Sequence, residues 1–531
     1  MHVQLLSGEA ALRRVDDPAF QARWRELYAR CPWASACQHP GFVAPWYRLY
    51  LPGVLPVLVL AETGDGALAG LLTLALRDGS SRLTGAGEHQ AEYQAWLASA
   101  GEGDAFMVAA MRALRQAFSG ADLCLRYLPP GIPLGWIDAL GSERSLVALR
   151  PHPRPVMQVE ADAMARQRNK KNHRQNFNRL NRMGEVRFER VLAHDSFAAL
   201  FDELCMQYDF RQAALYRQMP FTSDPCKKDF HLALHRRGLL HVTVLTVGGE
   251  VAASHLGLLS EGRALHIGIL THSPAHAMHS PGNLLLAMLG VQLAQEGVPM
   301  LDLTPGGDAY KEHFATGHDT VHELTIHGSA GRRLAAQTIA GLRRQARFAL
   351  QKTGYRGADL AAAFDALHPG WLGRVGRRVR ARPCSLRYQW QAAAADMDGP
   401  APARNRLADV LRFDARHGLG SRWLFMGTVM KRMERAQDLY TLTQDGSLVL
   451  SCWVQAAPVP SEKDALVLSD LMVHRQPDSE ALLRSFVEQL VARLQRDRPG
   501  AAVFYRGQLD PALRRSIEGC GFVADGLGAP Q

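Results

Sequence analysis

No two of the eight cysteines stand at C-x-x-C spacing. They are scattered at Cys31, Cys37, Cys124, Cys205, Cys226, Cys384, Cys452 and Cys520. That pattern indicates neither a zinc site nor a disulfide framework. The 21 histidines never fall into H-E-x-x-H spacing, and there is no G-x-S-x-G elbow and no G-K-[ST] phosphate loop. Long apolar runs are missing too. The longest, Val54 to Ala61, contains a proline and falls far short of the roughly 20 residues that span a bilayer. The opening residues, Met1-His2-Val3-Gln4-Leu5-Leu6-Ser7-Gly8-Glu9, lack a basic region followed by an apolar one, so no signal peptide is read. These absences point to a soluble protein of a reducing compartment, read as cytoplasmic.

What is present is a chain of 531 residues, 47% hydrophobic and 21% charged. That is the mix of a globular protein able to bury a core, and the length suggests about three or four domains. The formal net charge of +10 raises anionic partners: nucleic acid, a phosphorylated cofactor or an anionic membrane surface.

One layout recurs three times. Apolar, β-rich runs flank a glycine turn at Val54–Leu76 (turn 62–66), at Leu240–Leu259 (Gly248-Gly249) and at Tyr440–Val454 (Asp445-Gly446). Two such runs around Gly-Gly or Asp-Gly predict a hairpin. An amphipathic helix follows each, at 105–117, 282–296 and 480–497. A short strand comes next, at Leu123–Tyr127, Met300–Thr304 and Ala501–Tyr505. In the last helix Leu482, Phe486, Leu490 and Leu494 recur every four residues, a helical stripe. The expected fold class is α/β: tandem mixed-sheet units, two fused and a divergent third at the C-terminus. The units are read as 1–150, 151–330 and 400–531, with a basic connector over 331–399 that is helical at first and then loosely structured.

The three helix starts differ in charge. A helix N-terminus offers free N–H groups and a positive dipole end to a phosphate. The first start, Gly101-Glu102-Gly103-Asp104, and the third, Gln476-Pro477-Asp478-Ser479-Glu480, carry acids that repel a pyrophosphate. The central one reads His279-Ser280-Pro281-Gly282-Asn283 and has none. There Ser280 suits an N-cap, Pro281 the first helical position, and Gly282 a close backbone approach. His279, Ser280, Pro281, Gly282 and Asn283 are therefore the candidate cofactor-binding residues.

The segment from about 155 to 315 resembles the BioF-like/CelD-type acetyltransferases of the GNAT superfamily, relatives of FemAB-like transferases. The resemblance rests on a basic helix (Arg166–Arg182) ending at Gly184, then Val186-Arg187-Phe188 and Gly249-Glu250-Val251-Ala252-Ala253. Ser280-Pro281-Gly282 and Asp302 with Gly307-Asp308-Ala309-Tyr310-Lys311 complete it. Trp24-x-x-Leu27 and Gln38-His39-Pro40-Gly41-Phe42-x-x-x-Trp46 resemble the cofactor-poor first half of such proteins. The match covers about 60% of the chain. It leaves the C-terminal unit as a divergent GNAT-like domain without the phosphate loop.

The resemblance implies acyl transfer from acetyl-CoA or another acyl-CoA, without a metal, to an amine or hydroxyl on a small molecule or saccharide. An exopolysaccharide or cellulose precursor is one such acceptor. It also implies roles: Tyr310 as the acid, Asp302 or His266 as the base, Asp308 and Lys311 toward the substrate, and His255 as a weaker candidate base. A FemAB-like aminoacyl transfer from aminoacyl-tRNA is an alternative, and the only reading that brings in nucleic acid. A non-catalytic scaffold in polysaccharide assembly is another.

Two motifs are set aside as noise. Gly64-Asp65-Gly66 with Gly70 sits in a hairpin turn, and Asp396-Met397-Asp398 sits in an Ala/Gly/Pro stretch. On the basic helix, Lys171, Arg174, Asn178 and Arg182 share one face and Phe177, Leu180 and Met183 another. The charge is concentrated. Residues 166–190 hold nine Lys/Arg against two Glu, and residues 332–387 hold thirteen against two Asp. The remainder of the chain is thus mildly acidic, at −8. The two positive segments suit CoA phosphates, an acyl-carrier partner, or an anionic surface that would place the protein at the inner membrane.

Overall fold

The computed structural model describes every residue except 261, 353–385, 392–400, 416–420, 458–464, 476–479, 508–510 and 525–531. Asp396-Met397-Asp398 and most of the expected connector lie outside the described residues. The chain divides into two compact units. The first comprises Met1–Asp202, Asp224–Thr271 and Pro281–Phe348; the second comprises Glu203–Ser223, His272–Ser280 and Ala349–Gln531.

The fold is mixed α/β, and the threefold layout is present. In the first unit the strands are β1 (Gln4–Ser7), β2 (Val54–Glu62), β3 (Leu68–Arg77), β4 (Arg82–Gly85), β5 (Leu97–Ala98), β6 (Asp122–Leu128), β7 (Val147–Gln158), β8 (Val186–Arg190), β9 (Leu240–Val247), β10 (Glu250–Ser260), β11 (Ala264–His272), β12 (Met300–Asp302) and β13 (Gly317–Ile326). They form one mixed sheet in the order β1-β2-β3-β4-β6-β13-β7-β12-β11-β10-β9-β8, with β5 beside β3.

Each copy in this sheet is a hairpin, a third strand, a helix, and a fourth strand parallel to the third. In the first copy β4 runs parallel to β6 across the helix Gly103–Ala117. In the central copy β11 runs parallel to β12 across the helix Pro281–Gln295. Parallel neighbours need a crossover of a dozen residues or more, and each helix supplies it.

The two copies are fused edge to edge through β7. This strand pairs antiparallel with β13 over Val147–Val156 and with β12 at Val156–Gln158. The boundary expected between residues 150 and 151 falls inside it. Apolar side chains explain the packing of the central copy. Leu286, Leu289 and Leu293 of its helix are fully buried against Leu265, Leu301 and Leu303, about 2 kcal/mol each in transfer terms.

The basic segment is two helices, Ala161–Arg168 and Lys171–Met183, rather than one. Lys171, Arg174, Asn178 and Arg182 are exposed as expected, and Leu180 is buried. Met183, expected on the apolar face, is 55% exposed, and His173 is buried instead. Gly184 then lies against the next hairpin: a Cβ there would stand 2.7 Å from the Gly248 backbone.

The second unit contains β14 (Leu386–Trp390), β15 (Ala403–Arg404), β16 (Asp438–Gln444), β17 (Ser447–Ala456), β18 (Leu466–Val473), β19 (Val503–Gly507) and β20 (Phe522–Ala524). Their order is β15-β16-β17-β18-β19-β14-β20. The third copy lies here, with β18 parallel to β19 and the helix Glu480–Asp497 between them. Asp445 and Gly446 have φ of 49° and 73° at the β16–β17 turn, as a tight hairpin with Asp-Gly requires. β14 comes from the stretch read as a connector. Tyr388 is buried in the core of this unit, which makes Leu386–Trp390 part of the sheet.

Candidate active site

The parallel strands β11 and β12 pair at only two positions, Leu265 with Leu301 and His266 with Asp302. Beyond His266, β11 runs on to His272, whereas β12 ends at Asp302. The sheet therefore opens where His266 and Asp302 lie side by side. Branched apolar neighbours fix both strands in the core, and the two polar residues sit at the mouth of the opening.

Asp302 is fully buried and takes four donors. Its Oδ2 accepts from Tyr93 Oη at 2.6 Å, His266 Nδ1 at 2.9 Å and Arg154 Nη1 at 3.0 Å; its Oδ1 accepts from the Thr304 N–H at 2.8 Å. Burial alone would raise its pKa, but His266, Arg154 and Tyr93 outweigh that and hold the carboxyl below its ordinary range. The same pairing acts in reverse on Tyr93. Burial and the Asp302 charge push its hydroxyl far above the ordinary value, so it stays a phenol and a donor. Arg154 also engages Asp319 through Nε at 2.6 Å.

Thr304 has φ of 58°, a left-handed conformation that is uncommon for a β-branched residue. Strain of this kind collects at functional sites. Here it turns the chain so that the Thr304 N–H caps Asp302, while its O and Oγ1 accept from Lys311 Nζ at 3.2 and 3.1 Å. Burial lowers the pKa of Lys311, against the opposing charges of Asp308, Glu92 and Asp302.

His266 continues the chain of contacts outward. Its Nε2 lies 2.8 Å from Ser260 Oγ, and Ser260 Oγ accepts the N–H of Ala36 at 2.8 Å. His266, Ser260, Tyr93 and Arg154 line a cavity of about 170 Å3 together with Trp33 and Arg263. The Arg263 guanidinium is anchored to the carbonyls of Ala29, Cys31 and Ala34, which seats the first copy's Cys31–Gln38 segment against the end of β10.

The other expected site residues lie elsewhere. Tyr310 packs its ring against the hydrophobic cluster of the central copy. Asp308 is exposed, one residue before the short helix Ala309–Phe314. His255 is fully buried, and burial, with the His241 charge, takes its pKa down to about 3. Ser280 has left-handed backbone geometry, φ 48° and ψ 53°, unlike the extended geometry usual for an N-cap. It and His279 fall in the second unit, and Pro281, Gly282 and Asn283 open the helix in the first. Among the described residues, no group of three or more His, Cys, Asp and Glu side chains is set to hold a metal ion. No described helix is long and apolar enough to cross a membrane.

Tyr93, Arg154 and Ser260 were not found from the sequence. Ser260 alone carried a local signal, six residues before His266 across a turn.

Among solved structures, FemX aligns at 10% identity and a TM-score of 0.41, covering 58% of this chain and 96% of that one. A tandem GNAT protein from the clavulanic acid biosynthesis pathway aligns at 13% and 0.39, covering 62% and 99%. L-PGS from Bacillus licheniformis aligns at 12% and 0.38, covering 62% and 97%. No curated protein matches the chain. Residues 167–312, inside the central copy, match the family model described as the acetyltransferase (GNAT) domain.

Proposed function

We propose that the central copy is an acyltransferase that moves an acyl group from acyl-CoA to an amine or hydroxyl acceptor. The observation that carries this reading is the opening between β11 and β12 with His266 beside Asp302 at its mouth. The family match over 167–312 supports it.

The chain's own groups suit the chemistry. Acyl-CoA supplies an activated thioester, and the acid-free start of the helix at Pro281–Asn283 suits its phosphates. Asp302, saturated by four donors, holds the His266 ring in place. His266 faces the cavity and accepts the acceptor's proton. Tyr93 and Arg154 keep Asp302 charged. The acceptor class is a small amine or hydroxyl compound or a saccharide; the exopolysaccharide setting rests on the resemblance of motifs alone.

Isothermal titration of the full chain with acetyl-CoA tests the reading. Binding is expected, and Gly282→Asp should weaken it roughly tenfold, because a carboxylate at the helix start repels the phosphates. An absence of heat with wild type, or equal affinity in the variant, would overturn it.

A second reading, aminoacyl transfer from aminoacyl-tRNA, draws on the exposed basic face of Lys171, Arg174 and Arg182. It predicts tRNA retention on filters that falls steeply between low and moderate salt. Retention that ignores salt would dismiss it.

A further inference from the structure

For a neutral ring, the contacts around His266 place the hydrogens in one way. The Asp302 carboxylate can only accept, so the hydrogen between it and the ring is on Nδ1. With a neutral ring Nε2 is then an acceptor. The remaining hydrogen in the 2.8 Å contact is the one on Ser260 Oγ. Ala36 N–H already occupies a lone pair of that oxygen, which leaves the hydroxyl hydrogen directed at Nε2. Serine to histidine to aspartate, in that order and with those polarities, is the arrangement that activates a serine nucleophile. It is recognised by geometry, whatever the fold and chain order.

The setting agrees. Ser260 is the last residue of β10, and its Oγ meets the ring of His266, the third residue of β11. Both Ser260 and His266 border the cavity of about 170 Å3. A void of about 150 Å3 takes a benzene-sized molecule, so an acyl group of a few carbons fits.

We infer that Ser260 is a catalytic nucleophile that carries the acyl group as an ester between donor and acceptor. This rests on the acyltransferase reading and deepens it. Ser260 Oγ attacks the thioester carbonyl; the C–O bond forms as the C–S bond breaks. The hydroxyl proton passes to His266 Nε2 and from there to the departing thiolate sulfur. The acceptor nitrogen or oxygen then attacks the ester carbonyl and gives its proton to His266; the acyl C–Oγ bond breaks as the new bond forms, and His266 returns a proton to the departing Ser260 Oγ. No oxidant or reductant is required. Asp302 stays ionised throughout as a positioning residue.

Acid-quenched peptide mass spectrometry of the full chain tests this with two donors, acetyl-CoA and p-nitrophenyl acetate. Wild type should show one acetyl group on the peptide containing Ser260, with a burst of nitrophenolate from the ester. Ser260→Ala should show neither, and His266→Gln should slow acylation by about 10²–10⁴-fold. Ser260→Cys, which keeps a nucleophile at the same place, should be acylated as a hydroxylamine-labile thioester. Circular dichroism would establish that each variant is folded. Acylation of Ser260 by the ester, with no binding of acetyl-CoA, would sustain the nucleophile and remove the CoA donor. Turnover of acetyl-CoA that is unchanged in Ser260→Ala, with no acyl group on Ser260, would overturn the nucleophile and leave the acyltransferase. An unmodified Ser260 with both donors would also overturn it.

Discussion

A carboxylate with three donors on one oxygen cannot readily release them to act on a substrate, and Asp302 is such a group. Its contribution is to stability and to the posture of His266. Asp302→Asn should therefore cost toward the lower end of the roughly 3–5 kcal/mol typical of a broken buried ion pair, since Asp319 still holds Arg154; chemical denaturation measures this. The pKa of Asp302 is depressed in the fold. The stability it supplies is thus complete above its unfolded value near pH 4 and lost as pH falls through the folded one. Comparing melting temperatures of wild type and Asp302→Asn should show the gap narrowing only below about pH 4. Asp302 and His266 were named through the motif resemblance, which places them on the two neighbouring strands that the local pattern already showed. Tyr93 and Arg154 were not. They stand 209 and 148 residues from Asp302 along the chain, and only the fusion of two copies into one sheet brings them together.

At the scale of elements, hairpins, helices and the strands after them were readable because each depends on neighbours within a few residues. The break at Asn169–Lys170 in the basic segment was not, because His173 Nδ1 donates locally to Gln167 O at 2.8 Å and the ring is packed beside Phe314. Burial there follows from a partner outside the helix. The approach of Gly184 to Gly248 is a packing requirement of the same kind. Gly184→Ala would set a methyl against backbone at 2.7 Å, and should destabilise the protein by about 1–3 kcal/mol. A shift in denaturation midpoint without a change in slope would agree; an unchanged midpoint would show that the helix and hairpin separate freely.

Across the whole molecule, charge and burial oppose each other. A chain of net charge +10 keeps several imidazoles neutral inside. Burial takes His231 and His255 down to about 3 and His39, His272 and His474 down to about 4. In the unfolded chain each would titrate near 6.5. Stability from these groups is full above about pH 6.5 and drains away as pH falls toward their folded values. Thermal melts should weaken progressively from about pH 6.5 to 4, ahead of carboxylate titration, and His255→Leu should flatten that slope.

The strand β7 is claimed on one edge by β13 and on the other by β12. This has a consequence for descent. Recombination that exchanged the first copy for a foreign one at residue 150 would split a single strand between two parents. It would also sever Tyr93 and Ala36 from the residues they serve. Exchange that keeps this strand and these contacts must carry both copies together, so they should be inherited as one piece.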